Sequence, residues 1–251
     1  MGYFLYFCVL QQCFITLHIL SIVRKDKSID ISASLPDIRK VLDEKEHKLI
    51  RENARFINLK KNEVVYYEKD KPKDLMCLLK GKVKIYKEGV GGRSQIVRVV
   101  RPVQYFGYRA YFAKEPYVTS AAAFESSKVC LIPMKIVEHI LQKNCSLAML
   151  FIRLLSVDLG ISDKRVVNLT QKHIRGRLAE SLIFLKESYG LEGDGATIGI
   201  YLSREDLANL SNMTTSNAIR TLSIFEKERI ISMDGRKIKI IDEERLQKIS
   251  R

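Results

Sequence analysis

Paired cysteines are what this sequence most plainly lacks. Its five, Cys8, Cys13, Cys77, Cys130 and Cys145, are scattered and odd in number, with no CxxC pair and no Cys/His cluster. Structural zinc needs such ligands grouped, so no metal site is expected. An iron–sulfur cluster needs several thiolates together, and the spacing of Cys8 and Cys13 is its single hint. The five read as small hydrophobes in a reduced cytoplasm. Histidine is as sparse: four isolated residues, with no nucleophile–base arrangement and no glycine loop to cradle phosphate. No catalytic residue and no certain cofactor emerge, and an enzyme finds no support. Repeats and low-complexity tracts are missing as well.

Acidic charge is the other shortage. Lys and Arg number 43 against 29 Asp and Glu, a formal net charge of +14. That balance suits a polyanionic partner. It is unevenly spread. Residues 171–251 carry 14 basic and 12 acidic side chains, net +2, whereas the first 170 carry 29 and 17, net +12. Met213 to Ile241 holds six basic and three acidic side chains. Charge alone is thus a weak argument for nucleic-acid binding, and motifs must carry it.

The chain has 251 residues, enough for two modest domains. Residues 1–35 form a hydrophobic extension. Within it "YFLYFCVLQQCFITLHILSIV" is uncharged, long enough to span a bilayer, and followed by "RKDK". It has no basic leader or small-residue cleavage site. Gln11 and Gln12 sit near its centre, where a membrane anchor tolerates them least. A membrane tether and an upstream region translated from a misassigned start both fit. No function is assigned to it, and a membrane is not expected as a partner.

From Pro36 to Ile50 the pattern is that of an amphipathic helix. "FINLKKNEVVYYEKD", "DLMCLLKGKVKIYKEG", "GRSQIVRVVRPVQYF" and "VTSAAAFESSKVCLIPM" then read as short strands, with Gly81 and Gly89-Val90-Gly91-Gly92 as punctuation. Many short strands at even spacing predict a small barrel or jelly roll over 36–134. A long helix follows within 135–170, from about Asn144 to Thr170. Leu147, Leu150, Leu154, Val157 and Ile161 fall on heptad a and d positions, with Phe151 and Leu155 as a second stripe beside them. One stripe can pack on the barrel and the other on a partner helix, or the whole helix can be buried in its own domain.

Residues 171–251 hold the most specific pattern. Ser203 precedes Arg204, Glu205 and Asp206 as an N-cap, and Leu207, Ala208 and Leu210 give one apolar face. After Ser211-Asn212-Met213, Thr214 caps again, and Ala218, Ile219, Leu222 and Phe225 form a second stripe. Asn212 tolerates positive φ in the turn between them. By itself this is a helix-turn-helix or an ordinary helical hairpin. "ISMDGRKIKII" then supplies a β-hairpin turning at Asp234-Gly235, which makes the unit a winged helix-turn-helix. Thr214, Thr215, Ser216, Asn217 and Arg220 offer donors and acceptors to base edges and phosphates of double-stranded DNA. Arg236 and Lys237, on the wing, suit phosphates.

Barrel, long helix and winged reader in this order resemble the Crp/Fnr family of bacterial transcription regulators over about residues 40 to 245. The resemblance rests on "GRLAESLIFLKE", "LSREDLANLSNMTTSNAIRTLSIFEKERII" and "YFGYRAYF". It implies an α+β chain: a double-stranded β-helix (jelly-roll) effector domain, a dimerisation helix and a C-terminal DNA reader. It further implies a cytoplasmic homodimer on a near-palindromic site beside a promoter, where RNA polymerase is the expected partner. Arg220 matches the family's base-reading arginine. Cyclic-AMP-binding members carry a glycine followed by glutamate and, eleven positions after the glycine, an arginine. Here Gly107 is followed by Tyr108, and Val118 stands at the arginine position, with Thr119 keeping the hydroxyl. Ser162 and Asp163 occupy the long-helix pair that would meet the purine. An effector other than cyclic AMP is expected, its identity unknown, with Arg109, Thr119 and Ser162 as polar contacts and Tyr108 as a wall. Arg109 as a surface ion pair is the competing reading. A ligand-binding module whose C-terminal domain serves protein interaction is the competing function.

Overall fold

The computed structural model describes residues 35–89 and 94–251. The hydrophobic extension, Cys8 and Cys13, and most of the Gly89–Gly92 loop lie outside the described residues. The chain divides into two compact units, the first comprising residues up to Lys84 together with Pro102–Ile152, the second Ile85–Arg101 together with Arg153–Arg251.

The first unit opens with α1 (Pro36–Arg39) and α2 (Glu44–Asn53) rather than one helix. Asp43 is the reason. Its carboxylate accepts from the Glu46 N–H while the Glu46 side chain accepts from the Asp43 N–H, a capping box that starts a new helix there. Eight strands follow along the chain, of which β5 and most of β4 fall in the second unit: β1 (Arg55–Leu59), β2 (Val64–Tyr66), β3 (Asp74–Lys80), β4 (Val83–Glu88), β5 (Ser94–Val100), β6 (Tyr105–Phe106), β7 (Ser120–Ala123) and β8 (Ser127–Pro133). They form two four-stranded sheets, ordered β1-β8-β3-β6 and β2-β7-β4-β5. Each of the four strand-rich segments contributes two strands. Gly81, at φ 87°, separates β3 from β4, and a Cβ there would meet Ser127 Oγ at 2.3 Å. Only glycine fits.

Leu75, Leu78, Val129 and Ile132 are fully buried on β3 and β8. Cys77 and Cys130 face each other across this pair. Burial raises both thiols, Cys130 to about 12, so they behave as core hydrophobes. After α3 (Tyr108–Phe112), helix α4 (Met134–Leu141) packs through Met134, Val137 and Ile140. The expected dimerisation segment is therefore two helices. Asn144 breaks it: its Oδ1 accepts from the Leu147 N–H at 2.9 Å, starting α5 (Cys145–Gln171), while its amide donates to Val41 O and Glu46.

The opening of α5 corrects the expected seam. Leu147 and Leu150 are 1% and 4% exposed and belong to the core of this unit with Phe151. They have no surface to offer a partner helix. Leu154 is half-buried, and Val157 and Ile161 are exposed. A different 3-4 repeat stays open to solvent: Met149, Ile152, Ser156, Leu159, Asp163 and Val166, each two residues beyond a position of the expected stripe or its continuation.

In the second unit α6 (Ile174–Tyr189), α7 (Arg204–Leu210) and α8 (Thr215–Lys227) precede β9 (Ile231–Asp234), β10 (Lys237–Ile240) and α9 (Glu243–Ser250). Leu178, Leu182, Leu207, Ala218, Leu222, Phe225 and Leu246 are buried, one or more from each helix. Glu228, following α8, takes a bidentate pair from Arg175 at 2.9 and 2.8 Å and a further contact from Arg245.

Candidate nucleic-acid interface

Both helix caps read from the sequence are formed. Ser203 Oγ accepts from the Asp206 N–H at 3.0 Å and donates to its carboxylate at 2.8 Å. That hydroxyl is spent on starting α7, so Ser203 has a structural task within the reader. Thr214 Oγ1 accepts from the Asn217 N–H at 3.2 Å. Asn212 takes φ 49° in the turn. Beneath it Ser211 is buried and donates to Ser181 Oγ, while Met213 is buried beside it. The turn is thus anchored from within, and α8 starts at a fixed point.

The leading end of α8 faces solvent. Thr214, Thr215, Ser216 and Arg220 are exposed and Asn217 is half-buried, while Ala218, Thr221, Leu222 and Phe225 hold the opposite face in the core. Arg220 donates through Nη2 to Asn217 Oδ1 at 3.0 Å. An arginine fork, an amide and the hydroxyl groups of Thr215 and Ser216 therefore share one exposed helix end, the Thr214 hydroxyl being engaged in its cap. Such a set can contact base edges and phosphates in a major groove.

The wing turns one residue later than expected. Asp234 pairs with Lys237, so the two loop residues are Gly235 and Arg236. Gly235 takes φ 56°, suiting the first central position of a primed turn. Arg236 stands exposed at the tip. Lys237 is less free than its sequence position suggests: its ammonium lies 5.5 Å from the Tyr201 ring and 4.0 Å from Glu192.

Three supporting residues escaped the sequence reading. Arg204 donates to the Gly235 carbonyl at 2.9 Å, pinning the wing turn to the first residue of α7. Glu226 accepts from the Met233 N–H at 3.0 Å, joining α8 to β9. Asp194 accepts from the N–H groups of Thr197 and Ala196, which hold its carboxyl well below the usual carboxylate range. The turn it forms returns the chain through Thr197 and Ile198 to bond with β10. The alternation in "TIGI" was the available signal for this added edge.

The expected effector residues divide between the two units, Gly107 to Thr119 in the first and Ser162 and Asp163 in the second. In the first unit Tyr108 is 2% exposed and packs edge-on against Phe151, centroids 5.2 Å apart, making it core rather than wall. Arg109 pairs with Glu115 at 2.8 Å, with both side chains about half exposed. This is the ion-pair reading of that residue. Gly107 takes φ 83°, Thr119 is half-buried, and Val118 is 45% exposed. In the second unit Ser162 donates to the Asp158 carbonyl at 3.0 Å, and Asp163 is exposed. Among the described residues no group of three or more His, Cys, Asp and Glu is placed to hold a metal ion.

Residues 56–144 match the family model of the cyclic nucleotide-binding domain, and residues 176–249 that of the Crp-like helix-turn-helix domain. The chain is 28% identical over 201 residues to the transcriptional regulatory protein btr of Bordetella pertussis, covering 79% of this chain and 81% of that one. It is 26% identical over 183 residues to the global nitrogen regulator of a Nostoc species, covering 72% and 82%. The fold is that of FixK2 from Bradyrhizobium japonicum, with a TM-score of 0.71 at 22% identity over 79% of this chain and 98% of that chain. A CRP/FNR-family regulator from Thermus thermophilus gives 0.65 at 21% identity, over 78% and 97%.

Proposed function

Since the chain belongs to the Crp/Fnr family of transcription regulators and carries its DNA-binding helix-turn-helix, we propose that it acts as a cytoplasmic homodimer on a near-palindromic promoter site, where it meets RNA polymerase. The observation that carries this reading is the leading end of α8. Its exposed Thr215, Ser216 and Arg220 sit on a helix whose start, turn and wing are each tied down by hydrogen bonds. A rigid reader of this kind is worth building only where its side chains must meet a fixed pattern. The exposed 3-4 repeat from Met149 to Val166 supports the dimer. A helix with that much apolar surface needs a cover, and polar Ser156 and Asp163 within the repeat favour a second copy over lipid. Two copies related by a twofold axis place two readers on two half-sites.

The effector is proposed to be something other than cyclic AMP. Val118 supplies no positive charge where that phosphate would need one, and the charge of Arg109 is met by Glu115. Sedimentation of the protein with a selected operator should give two chains per site, and one chain per site would refute the dimer. Calorimetry with cyclic AMP should show no micromolar binding at physiological salt. Micromolar affinity there would overturn this view of the barrel.

A further inference from the structure

Arg165, on α5 within the second unit, makes contacts that DNA contact and dimer packing leave unexplained. Its guanidinium donates through Nη1 to Val97 O at 2.6 Å and through Nη2 to Ile96 O and, at 3.1 Å, to Leu210 O. Three main-chain carbonyls from two elements, β5 and the end of α7, converge on one side chain of a third. The side chain is half-buried, and desolvation lowers its pKa, partly opposed by Glu180 of α6. A cation kept where its charge is penalised, and spent on carbonyls, contributes direction more than stability.

The place of these bonds is informative. Leu210 ends α7, and its carbonyl is one of those the helix itself leaves unsatisfied. The next residues, Ser211 to Met213, are the turn that launches α8. Strand β5 packs directly on α7 and is also tied to α5 by Arg98 with Asp158. Meanwhile only Lys172 and His173 separate α5 from α6, a joint of two residues between the long helix and everything that follows. Asn168 and Lys172 reach Glu180 across that joint, close to its axis. Arg165 is the tie that reaches past α6 to the reader itself.

We infer that Arg165 is a positioning residue for DNA recognition, locking the helix-turn-helix to the long helix so that a dimer reads the spacing between its half-sites. The inference rests on the dimeric reading proposed above. Two recognition helices must enter grooves about 34 Å apart, one helical turn along the duplex. A reader free to swing at Lys172–His173 reaches more than one spacing, and both half-sites then gain from linkage at each. With the fork of Arg165 in place, one spacing fits.

The test uses the full-length protein and a set of operators whose half-sites are moved one base pair closer or further apart, with a single half-site as reference. Wild-type protein should lose about tenfold or more in affinity when the spacing changes, and Arg165→Met less than about threefold, with single-half-site affinity and dimer mass kept. Arg165→Lys keeps the charge without the fork and should fall between them; if Arg165→Met does not fold, the lysine variant decides. A variant that discriminates spacing as sharply as wild type overturns the lock alone. Equal losses on the half-site and the full operators also overturn it, since that is what damage to the reader itself produces. Wild-type protein indifferent to spacing overturns both the lock and the dimeric reading.

Discussion

Arg220 stands exposed on the second turn of α8 with Asn217 Oδ1 3.0 Å from its Nη2, a contact that orients the guanidinium before any DNA arrives. Arg220→Ala should lose about 1–3 kcal/mol of discrimination at one base pair in each half-site. Arg236→Ala, at the wing tip, should weaken all sequences evenly and reduce the salt slope by about one unit. Competition titrations over a salt series separate the two, and an even loss for Arg220→Ala would deny it a base-reading role. A pH prediction belongs to Asp194, whose depressed carboxyl supports the turn beside β10. A depressed folded-state pKa means stability present above the unfolded value, about 3.9, and lost as pH falls toward the folded one. The stability gap between wild type and Asp194→Asn should therefore be full at neutral pH and narrow below about pH 4. A gap independent of pH would mean that the charge contributes nothing. At this scale the caps were legible, because Ser203 with Asp206 and Thr214 with Asn217 interact within one turn. The pairing of Lys237 with Glu192 and of Arg204 with Gly235 was not, since both link residues far apart in sequence.

Among the elements, α5 shows where a periodic pattern stops informing. Apolar residues recur at heptad spacing on more than one of its faces, and the sequence does not mark which face the chain covers itself. The answer lies with Tyr108 and Phe112 on α3, whose rings meet Phe151 and enclose the face that also carries Leu147 and Leu150. Leu150→Ala should cost about 2–5 kcal/mol of stability and leave the dimer intact. Leu159→Glu, at a side chain 63% exposed, should leave stability nearly unchanged and yield a monomer in sedimentation. The reverse pattern would restore the stripe through Leu147 and Leu150 as the seam. The capping box at Asp43 splits a segment that reads as one helix, whereas the cap at Asn144 falls where the long helix is expected to begin. Both caps join residues three apart, so the signal lay in the local sequence, and at Asp43 the apolar periodicity on either side hid it. The strands fared better, because turn residues such as Gly81 punctuate them.

For the whole molecule, the charge distribution remains a useful check on mechanism. Residues 171–251 carry a net charge of only +2, so the reader has little general attraction for a polyanion and must depend on placed contacts. Binding should accordingly be selective or nearly absent, with a modest salt slope. A basic tail of the same size would give strong, indiscriminate binding instead. The central claim, that α8 and its wing read DNA sequence, is tested most directly by selecting genomic fragments with the purified full-length protein at physiological salt. The selected fragments should share a near-palindromic motif and bind at least about a thousandfold more tightly than random DNA of equal length. Recovery of fragments with no shared motif, at the affinity of random DNA, would contradict it.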